Sequence, residues 1–288
     1  MTTESSCPRC GAALDEGANF CGHCGLALVA HPSPFPPGVS SLALRERIAE
    51  LTAERTNTDE ILSPLWALLP LIAVVFGTFI GILLIFTPSV EISLLIFMVG
   101  SIVALALLII LNYKLVDRYN KHLVREASLR RTMIEYTWTR GQERGTTDAI
   151  YPYVSALESI DRQALMDEQP RSPLWSLAFL IPIVGVVLYF YMLYFLTRFA
   201  SVHDDRWHAF AYNIHLSSMV NGDMVPPPLP KYPQERSFIL YLLLTIIFSP
   251  FLFYWYFKLV DDPNKHFQEM GAFEDGFLTA TGRALTGL

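Results

Sequence analysis

Acidic and basic side chains are missing from four long stretches of this sequence. The stretches are 65–86, 92–111, 174–197 and 238–257, and none of them contains Asp, Glu, Lys or Arg. Each has about 20 residues or more, which at 1.5 Å per residue matches the roughly 30 Å hydrocarbon core of a bilayer. Buried helices of soluble proteins are usually shorter and carry some charge. The pattern therefore predicts an all-α polytopic membrane protein with about four transmembrane helices.

The sequence also lacks the motifs of common enzymes. It contains no glycine-rich phosphate loop, no nucleophile elbow and no paired-carboxylate motif, so we do not predict an enzyme. The net charge of -6 argues against nucleic-acid binding by the whole chain, because binding to phosphates needs a basic face. A composition of 52% hydrophobic and 17% charged residues, with a mean hydropathy of +0.35, agrees with a lipid-bilayer environment.

No basic start followed by an apolar stretch opens the chain, so we expect the N-terminus to stay in the cytosol. Lys and Arg are absent from the link 87–91, whereas 113–173 contains ten of them. By the positive-inside rule the first two apolar stretches form a hairpin that starts and ends in the cytosol. The simplest topology is a multi-pass protein of the cell membrane with both termini cytosolic.

Cysteine is absent after residue 24, and all four cysteines form two C-x2-C pairs. Such pairs supply the four thiolates that a tetrahedral Zn²⁺ ion requires. The predicted ligands of this structural zinc are Cys7, Cys10, Cys21 and Cys24. Two disulfides are the alternative, which a cytosolic N-terminus disfavours. His23 lies inside the second pair, and we predict it to be exposed rather than a ligand.

These residues carry a resemblance. Residues 7–28 resemble the short zinc ribbon found at the N-terminus of many prokaryotic membrane proteins, with a Cys-Pro-x-Cys-Gly knuckle followed by Phe-Cys-x-x-Cys-Gly. The resemblance implies a closed, structural zinc site without an open coordination position. Residues 238–277 are similar to an uncharacterised prokaryotic membrane family, through the aromatic run and Lys-Leu exit at 254–259. That family has no assigned activity to carry over.

The predicted organisation has seven parts. Residues 41–60 should form a short cytosolic helix whose Leu44, Ile48 and Leu51 lie against the membrane domain or the central cytosolic segment. The second apolar helix should continue as a cytosolic stalk to about Arg140 and break at Gly141 and Gly145. The parts are the zinc ribbon 1–28, a Pro-rich linker 29–40, the short helix 41–60, a transmembrane hairpin 61–112, cytosolic helical arms 113–173, two further membrane segments with an amphipathic connecting loop 174–260, and a cytosolic C-terminal arm 261–288.

A pattern recurs where the apolar stretches end. Residues 113–123 are closely similar to 257–267, and in both copies a histidine lies nine residues after an aromatic residue, at His122 and His266. A looser third copy begins at Tyr194 and places His203 at the same spacing. Repetition of this kind is typical of a membrane domain built by duplication.

The third copy conflicts with four simple crossings, because a single crossing by 174–197 puts His203 on the opposite side from the other two histidines. The alternative is that the last two apolar stretches are re-entrant hairpins. Pro182 and Gly185 could break the first, and Ser249 and Pro250 the second. Both topologies remain open at this point.

Apart from the cysteines, one group of residues has metal-ligand types. It contains His203, Asp204, Asp205, His208 and His215. A helix through these positions would spread them over more than one face, so the favoured prediction is an amphipathic interfacial helix with a wet polar side, and a metal site is the alternative. We predict that His122 and His266 lie at the surface, at the level of the lipid headgroups.

Small residues recur in the first hairpin, as Gly77-x3-Gly81 and Gly100-x3-Ala104. They predict close packing of the hairpin on itself, with a homodimer through Gly77 and Gly81 as the alternative. Because the apolar stretches contain no ionisable side chain, a transport pathway is disfavoured. The favoured function is a membrane-anchored scaffold or adaptor that binds a protein partner through the ribbon and the cytosolic arms. A small transporter or channel component is the alternative.

Overall fold

The computed structural model describes residues 12–13, 38–85, 90–230 and 236–286. Within these ranges the chain is helical and contains no β-strand, which confirms the all-α class. The four ribbon cysteines and His23 lie outside the described residues. The helices are α1 (Ser41–Ala53), α2 (Arg55–Thr58), α3 (Leu69–Ile85), α4 (Val90–Arg144), α5 (Thr147–Asp167), α6 (Val184–Asn221), α7 (Phe238–Ile247) and α8 (Phe251–Thr286), with 3₁₀ helices at Pro64–Ala67 and Pro173–Leu180.

The first hairpin packs through its glycines. A Cβ atom placed on Gly77 would lie only 3.1 Å from the Cα atom of Gly100, so the two backbones touch. The predicted packing of the hairpin on itself is therefore confirmed, while a homodimer through Gly77 and Gly81 remains a prediction. The outer faces are apolar and exposed, as shown by Phe76 at 64% and Ile102 at 63%.

Two helices of the described chain are long and apolar enough to cross a membrane, Glu91–Arg144 and Val184–Asn221. The predicted number of about four is not confirmed, because the other two apolar helices, α3 and α7, are shorter. The last two apolar stretches are each broken. The stretch 174–197 turns at residues 181–183, where Ile183 has a φ of 65°, before α6 begins. The stretch 238–257 is interrupted at 248–250, between α7 and α8. These breaks lie at or beside the prolines that the re-entrant alternative invoked.

The start and the end of each broken stretch are in contact. Arg171, just before the first, lies over the ring of Phe195 near its end, at 5.6 Å from the ring centroid. Phe238 and Trp255, at the two ends of the second, have ring centroids 5.6 Å apart. The two ends of each broken stretch therefore lie close together.

The segments outside the apolar stretches fold into one helical bundle. Leu44, Ile48 and Leu51 of α1 are buried in a core with Trp138 of α4 and with α5, α6 and α8, so α1 lies against the central segment. Helix α4 ends at Arg144, before Gly145 with a φ of 68°, and not at Gly141. A second core joins the ends of the apolar stretches. A layer of buried polar side chains lies between the two cores along α4, α6 and α8.

Candidate metal centre

Three histidines from three different helices meet in this polar layer. His122 lies on α4, His203 on α6 and His266 on α8, with exposed fractions of 0%, 2% and 4%. Their ring centroids are 4.8–5.3 Å apart. They are the three histidines that occupy the same position in the recurring exit pattern. The prediction that His122 and His266 lie at the surface is therefore wrong, because the fold brings the ends of these apolar stretches together and buries all three histidines.

Each imidazole has its Nδ1 atom beside a carboxylate. His122 Nδ1 lies 3.0 Å from Asp59 Oδ1, and His266 Nδ1 lies 2.8 Å from Asp204 Oδ1. His203 Nδ1 lies 3.2 Å from Glu168 Oε1. A carboxylate that accepts a hydrogen bond from Nδ1–H fixes the tautomer, which leaves the Nε2 lone pair free to bind a cation. Histidines that bind metal ions usually make such a contact.

The Nε2 atoms converge with one more carboxylate. His122 Nε2 and His203 Nε2 are 3.2 Å apart, and Glu126 Oε2 is 3.4 Å from His203 Nε2. One coordinating atom from each of the three histidines falls within 4.8 Å of the others. Two donors at 2.0–2.1 Å from one tetrahedral zinc ion lie about 3.3–3.4 Å apart. The observed separations fit two ligands of one metal ion.

Several buried polar atoms of this centre have no hydrogen-bond partner among the described residues. Nε2 of His266 and Oε2 of Glu126 are two of them. A buried polar atom without a partner costs roughly 1–3 kcal/mol. A cation at the centre of the cluster would satisfy both atoms.

Two arginines contact the carboxylate oxygens that face away from the histidines. Arg130 Nη1 lies 2.5 Å from Oε1 of Glu126, so the other oxygen, Oε2, is left to face the histidines. Arg125 Nη2 lies 2.6 Å from Oδ2 of Asp59, whose Oδ1 faces His122. Glu126 and Asp59 thus each use one oxygen for an arginine and the other for the histidine side. These contacts fix the orientation of the candidate ligands before any ion binds.

Burial and charge set the protonation of the cluster. Burial lowers the pKa of His122 to about 4, which keeps this imidazole neutral and able to coordinate. Burial also disfavours the charged form of His203, but Glu126 and Glu168 outweigh it and raise its pKa. Burial would raise the pKa of Glu126, yet Arg130 and the histidines lower it to about 2. Glu126 is therefore ionised and supplies a negative charge beside the histidines.

The predicted interfacial helix is not found. Residues 199–215 belong to α6, whose Trp207, Phe210 and Ile214 are buried in the same core as α1. Of the predicted metal-ligand types, His203 and Asp204 reach the centre. His208 Nε2 lies 3.9 Å from both Asp204 Oδ1 and Glu269 Oε2, beside the centre. His215 lies apart, with Nδ1 2.7 Å from the backbone oxygen of Val225, and Asp205 is exposed.

Sequence reasoning missed three carboxylates of the centre, Asp59, Glu126 and Glu168. A signal for one of them was present, because Glu126 follows His122 by one helical turn. Asp59 follows α2 and Glu168 follows α5, and no local pattern links either residue to a histidine. Their positions depend on the tertiary fold.

Comparison with known proteins bears on the N-terminal part of the chain. A model of the zinc-ribbon domain matches residues 4–28, which contain all four cysteines. The predicted zinc ribbon is confirmed by this match, and two C-x2-C pairs fit Zn²⁺ as its structural metal. The comparisons with curated proteins and with solved structures give no significant match.

Proposed function

We propose that this protein is a membrane-anchored metal-binding protein whose core holds one divalent transition-metal ion between His122, His203, His266 and Glu126. The observation that carries the proposal is the convergence of three buried imidazoles, each with its Nδ1 atom beside a carboxylate. Three imidazoles and one carboxylate are a donor set that suits Zn²⁺ and similar borderline ions. The ligand separations favour tetrahedral coordination.

A proton is the competing occupant of the centre. A proton on His203 would satisfy Glu126 or His122, but it would leave Nε2 of His266 without a partner, because that atom makes no hydrogen bond. A metal ion would bind all three Nε2 atoms and Glu126 together. The metal therefore accounts for more of the buried polar atoms than the proton does.

The membrane anchor in this proposal is the hairpin of α3 and α4, and the last two apolar stretches enter the bilayer from the cytosolic side and return. Support comes from the exposed apolar faces, since a soluble protein rarely exposes apolar surface on this scale. The metal centre would then lie just inside the cytosol, below the ends of the three apolar stretches.

Metal content tests the proposal, because the chain offers two separable sites. The wild-type protein should carry two metal ions per chain, one in the ribbon and one in the core. Cys21→Ser should remove the first and His266→Gln the second, and the double variant should carry none. His215→Gln is the matched control and should keep both ions, since His215 lies outside the centre.

The result that overturns the proposal is a Cys21→Ser protein that is folded by circular dichroism and contains no metal. Replacement by Co²⁺ gives a second readout. The ribbon site should show sulfur-to-cobalt charge-transfer bands, and the core site only ligand-field bands. His266→Gln should remove the ligand-field bands without changing the charge-transfer bands.

The ribbon supports a second role, recruitment of a protein partner by a membrane-anchored scaffold. The supporting observation is the zinc-ribbon match at residues 4–28, since a four-cysteine site is closed and leaves its surface for binding. A partner that co-purifies with the wild-type protein should be lost with Cys21→Ser. Retention of the partner in that variant would contradict the adaptor role.

A further inference from the structure

A cavity of about 290 Å³ opens beside the candidate metal centre, between the end of α5 and the middle of α6. Its inner wall includes Glu168 and His203, and its outer part includes Tyr191, Tyr194 and three arginines. It lies where the apolar stretch 174–197 begins and ends, because Arg171 precedes that stretch and Arg198 follows it. The cavity is therefore at the boundary between apolar and polar surface.

One of the three arginines is neutralised within the protein. Arg206 Nη2 lies 2.7 Å from Asp167 Oδ2, and its Nη1 contacts Glu168. The two carboxylates that line the cavity are thus already engaged by a cation. Arg206 therefore closes the polar end of the cavity rather than offering a free charge.

The other two arginines have no carboxylate partner in the described part of the chain. Arg171 lies over the ring of Phe195 at 5.6 Å, and its Nε atom is buried without a hydrogen bond. Arg198 Nη1 donates to the hydroxyl of Tyr194 at 2.6 Å. Two guanidinium groups held by aromatic rings, with no internal anion, are a suitable receptor for phosphate oxygens.

An apolar strip continues from the cavity along α6. Val187 lies one helical turn before Tyr191 and is 64% exposed, and Leu177 of the facing 3₁₀ helix is 49% exposed. A ligand with a phosphate in the cavity could lay a hydrocarbon chain along this strip. Basic pockets on the cytosolic side of membrane helices commonly hold anionic headgroups in this way.

We propose that this cavity binds the phosphate of an anionic lipid through Arg171 and Arg198, with an acyl chain along the Val187 side of α6. The proposal goes beyond the metal centre and does not depend on it, although the bound headgroup would lie next to Glu168 and His203. A soluble phosphate compound shares the headgroup chemistry. The experiment therefore tests the headgroup and the chain separately.

Three probes are titrated into the purified full-length protein in a non-ionic detergent, with binding read by calorimetry. They are dihexanoyl phosphatidic acid, inorganic phosphate as the headgroup alone, and hexyl glucoside as the chain alone. We expect the lipid to bind much more tightly than either part. Arg171→Gln and Arg198→Gln should each weaken lipid binding about tenfold, since each removes a charge-assisted hydrogen bond to the phosphate. Arg162→Gln, an exposed change on α5, should have no effect.

The other outcomes are equally informative. Inorganic phosphate that binds as tightly as the lipid, and needs both arginines, would overturn the lipid as the ligand and identify a soluble phosphate compound. Lipid binding that is unchanged in both arginine variants would overturn the site itself. Metal content should stay at the wild-type value in both variants, so failure of this proposal is distinguishable from failure of the metal centre.

Discussion

Arg236 and Asp262 form an ion pair across the entrance of the last apolar stretch, with Arg236 Nη2 3.0 Å from Asp262 Oδ1. Arg236 comes just before the stretch 238–257 and Asp262 comes just after it. A stretch that crossed a bilayer once would separate these side chains by about 30 Å. The pair therefore favours re-entry of the stretch over a single crossing. Glu60 and Lys114, 2.9 Å apart, likewise join the two ends of the first hairpin.

The first prediction concerns topology. With all chain exits on one side, a cysteine at Met224, which is 68% exposed in the segment between α6 and α7, should face the cytosol. In a background without the ribbon cysteines, Met224→Cys should resist an impermeant thiol reagent until the cells are opened. Glu91→Cys, near the turn of the first hairpin, should be labelled in intact cells. Labelling of Met224→Cys from outside would exclude the re-entrant arrangement.

The second prediction concerns the Arg236–Asp262 pair. Arg236→Gln removes the cation from a carboxylate that is only 4% exposed. Loss of one partner of a buried pair typically costs about 3–5 kcal/mol, and we expect the lower end because the Arg236 side chain is 19% exposed. The double variant with Asp262→Asn should lose less stability than the sum of the two single changes. Thermal unfolding in detergent measures all three.

Lys121→Gln is the control for this cycle. Lys121 pairs with Asp117 on the surface of α4, and its side chain is 53% exposed. Exposed pairs contribute little, so the melting temperature should hardly change. Equal effects of Lys121→Gln and Arg236→Gln would show that the pair at the entrance is not structurally important.

The sequence alone predicts the helices well and the candidate metal centre less well. Charge-free length and helical period predict α4 as a span that continues into the cytosol, and they predict α5 closely, because these are local properties. The turn at residues 181–183 is harder to predict. Ile183 adopts a φ of 65° that its own residue type disfavours, so only tertiary packing can hold it there.

The histidines show the same limit. Their equal spacing from an aromatic residue is visible in the sequence. Whether they meet depends on turns within the last two apolar stretches, and the charge pattern does not distinguish such turns from simple crossings. Burial of Asp59 and Glu168 depends on Arg125 and Arg130, which are distant in sequence. From sequence alone, a charged residue is predicted to be exposed, because a buried partner that is distant in sequence cannot be recognised.

The third prediction concerns pH. Burial raises the pKa of Glu274 from its ordinary 4.5 to about 7, while its nearest cation, Arg125, is shared with Asp59. The folded protein then keeps a proton that the unfolded chain releases near pH 4.5. The contribution of Glu274 to stability is therefore complete below that pH and is lost as the pH rises through 7.

Glu274→Gln mimics the protonated form and should remove this loss. Between pH 5.5 and pH 8 the free energy of unfolding of the wild type should fall relative to the variant by about 2 kcal/mol. The exposed change Glu46→Gln should show no such pH-dependent difference. If Glu274→Gln is instead less stable than the wild type at pH 8, the ion pair with Arg125 outweighs the burial of the carboxylate.

The fourth prediction concerns the carboxylates behind the histidines. Asp59→Asn and Asp204→Asn keep the size of the side chain but remove the charge that orients the ring and raises its basicity. Changes of this kind typically weaken metal binding 10–100-fold. Competition with a chromophoric chelator, in the Cys21→Ser background that leaves only the core site, measures the affinity. Asp167→Asn, 62% exposed and paired with Arg206, is the control and should bind metal as its parent does.

Asp59 also contacts Arg125, so a loss of affinity in Asp59→Asn alone could result from a change in the fold. Asp59 and Asp204 contact different histidines. Equal losses in Asp59→Asn and Asp204→Asn would therefore identify the Nδ1 contact as the shared cause. Parent-like affinity in both variants would contradict a metal ion bound through the Nε2 atoms.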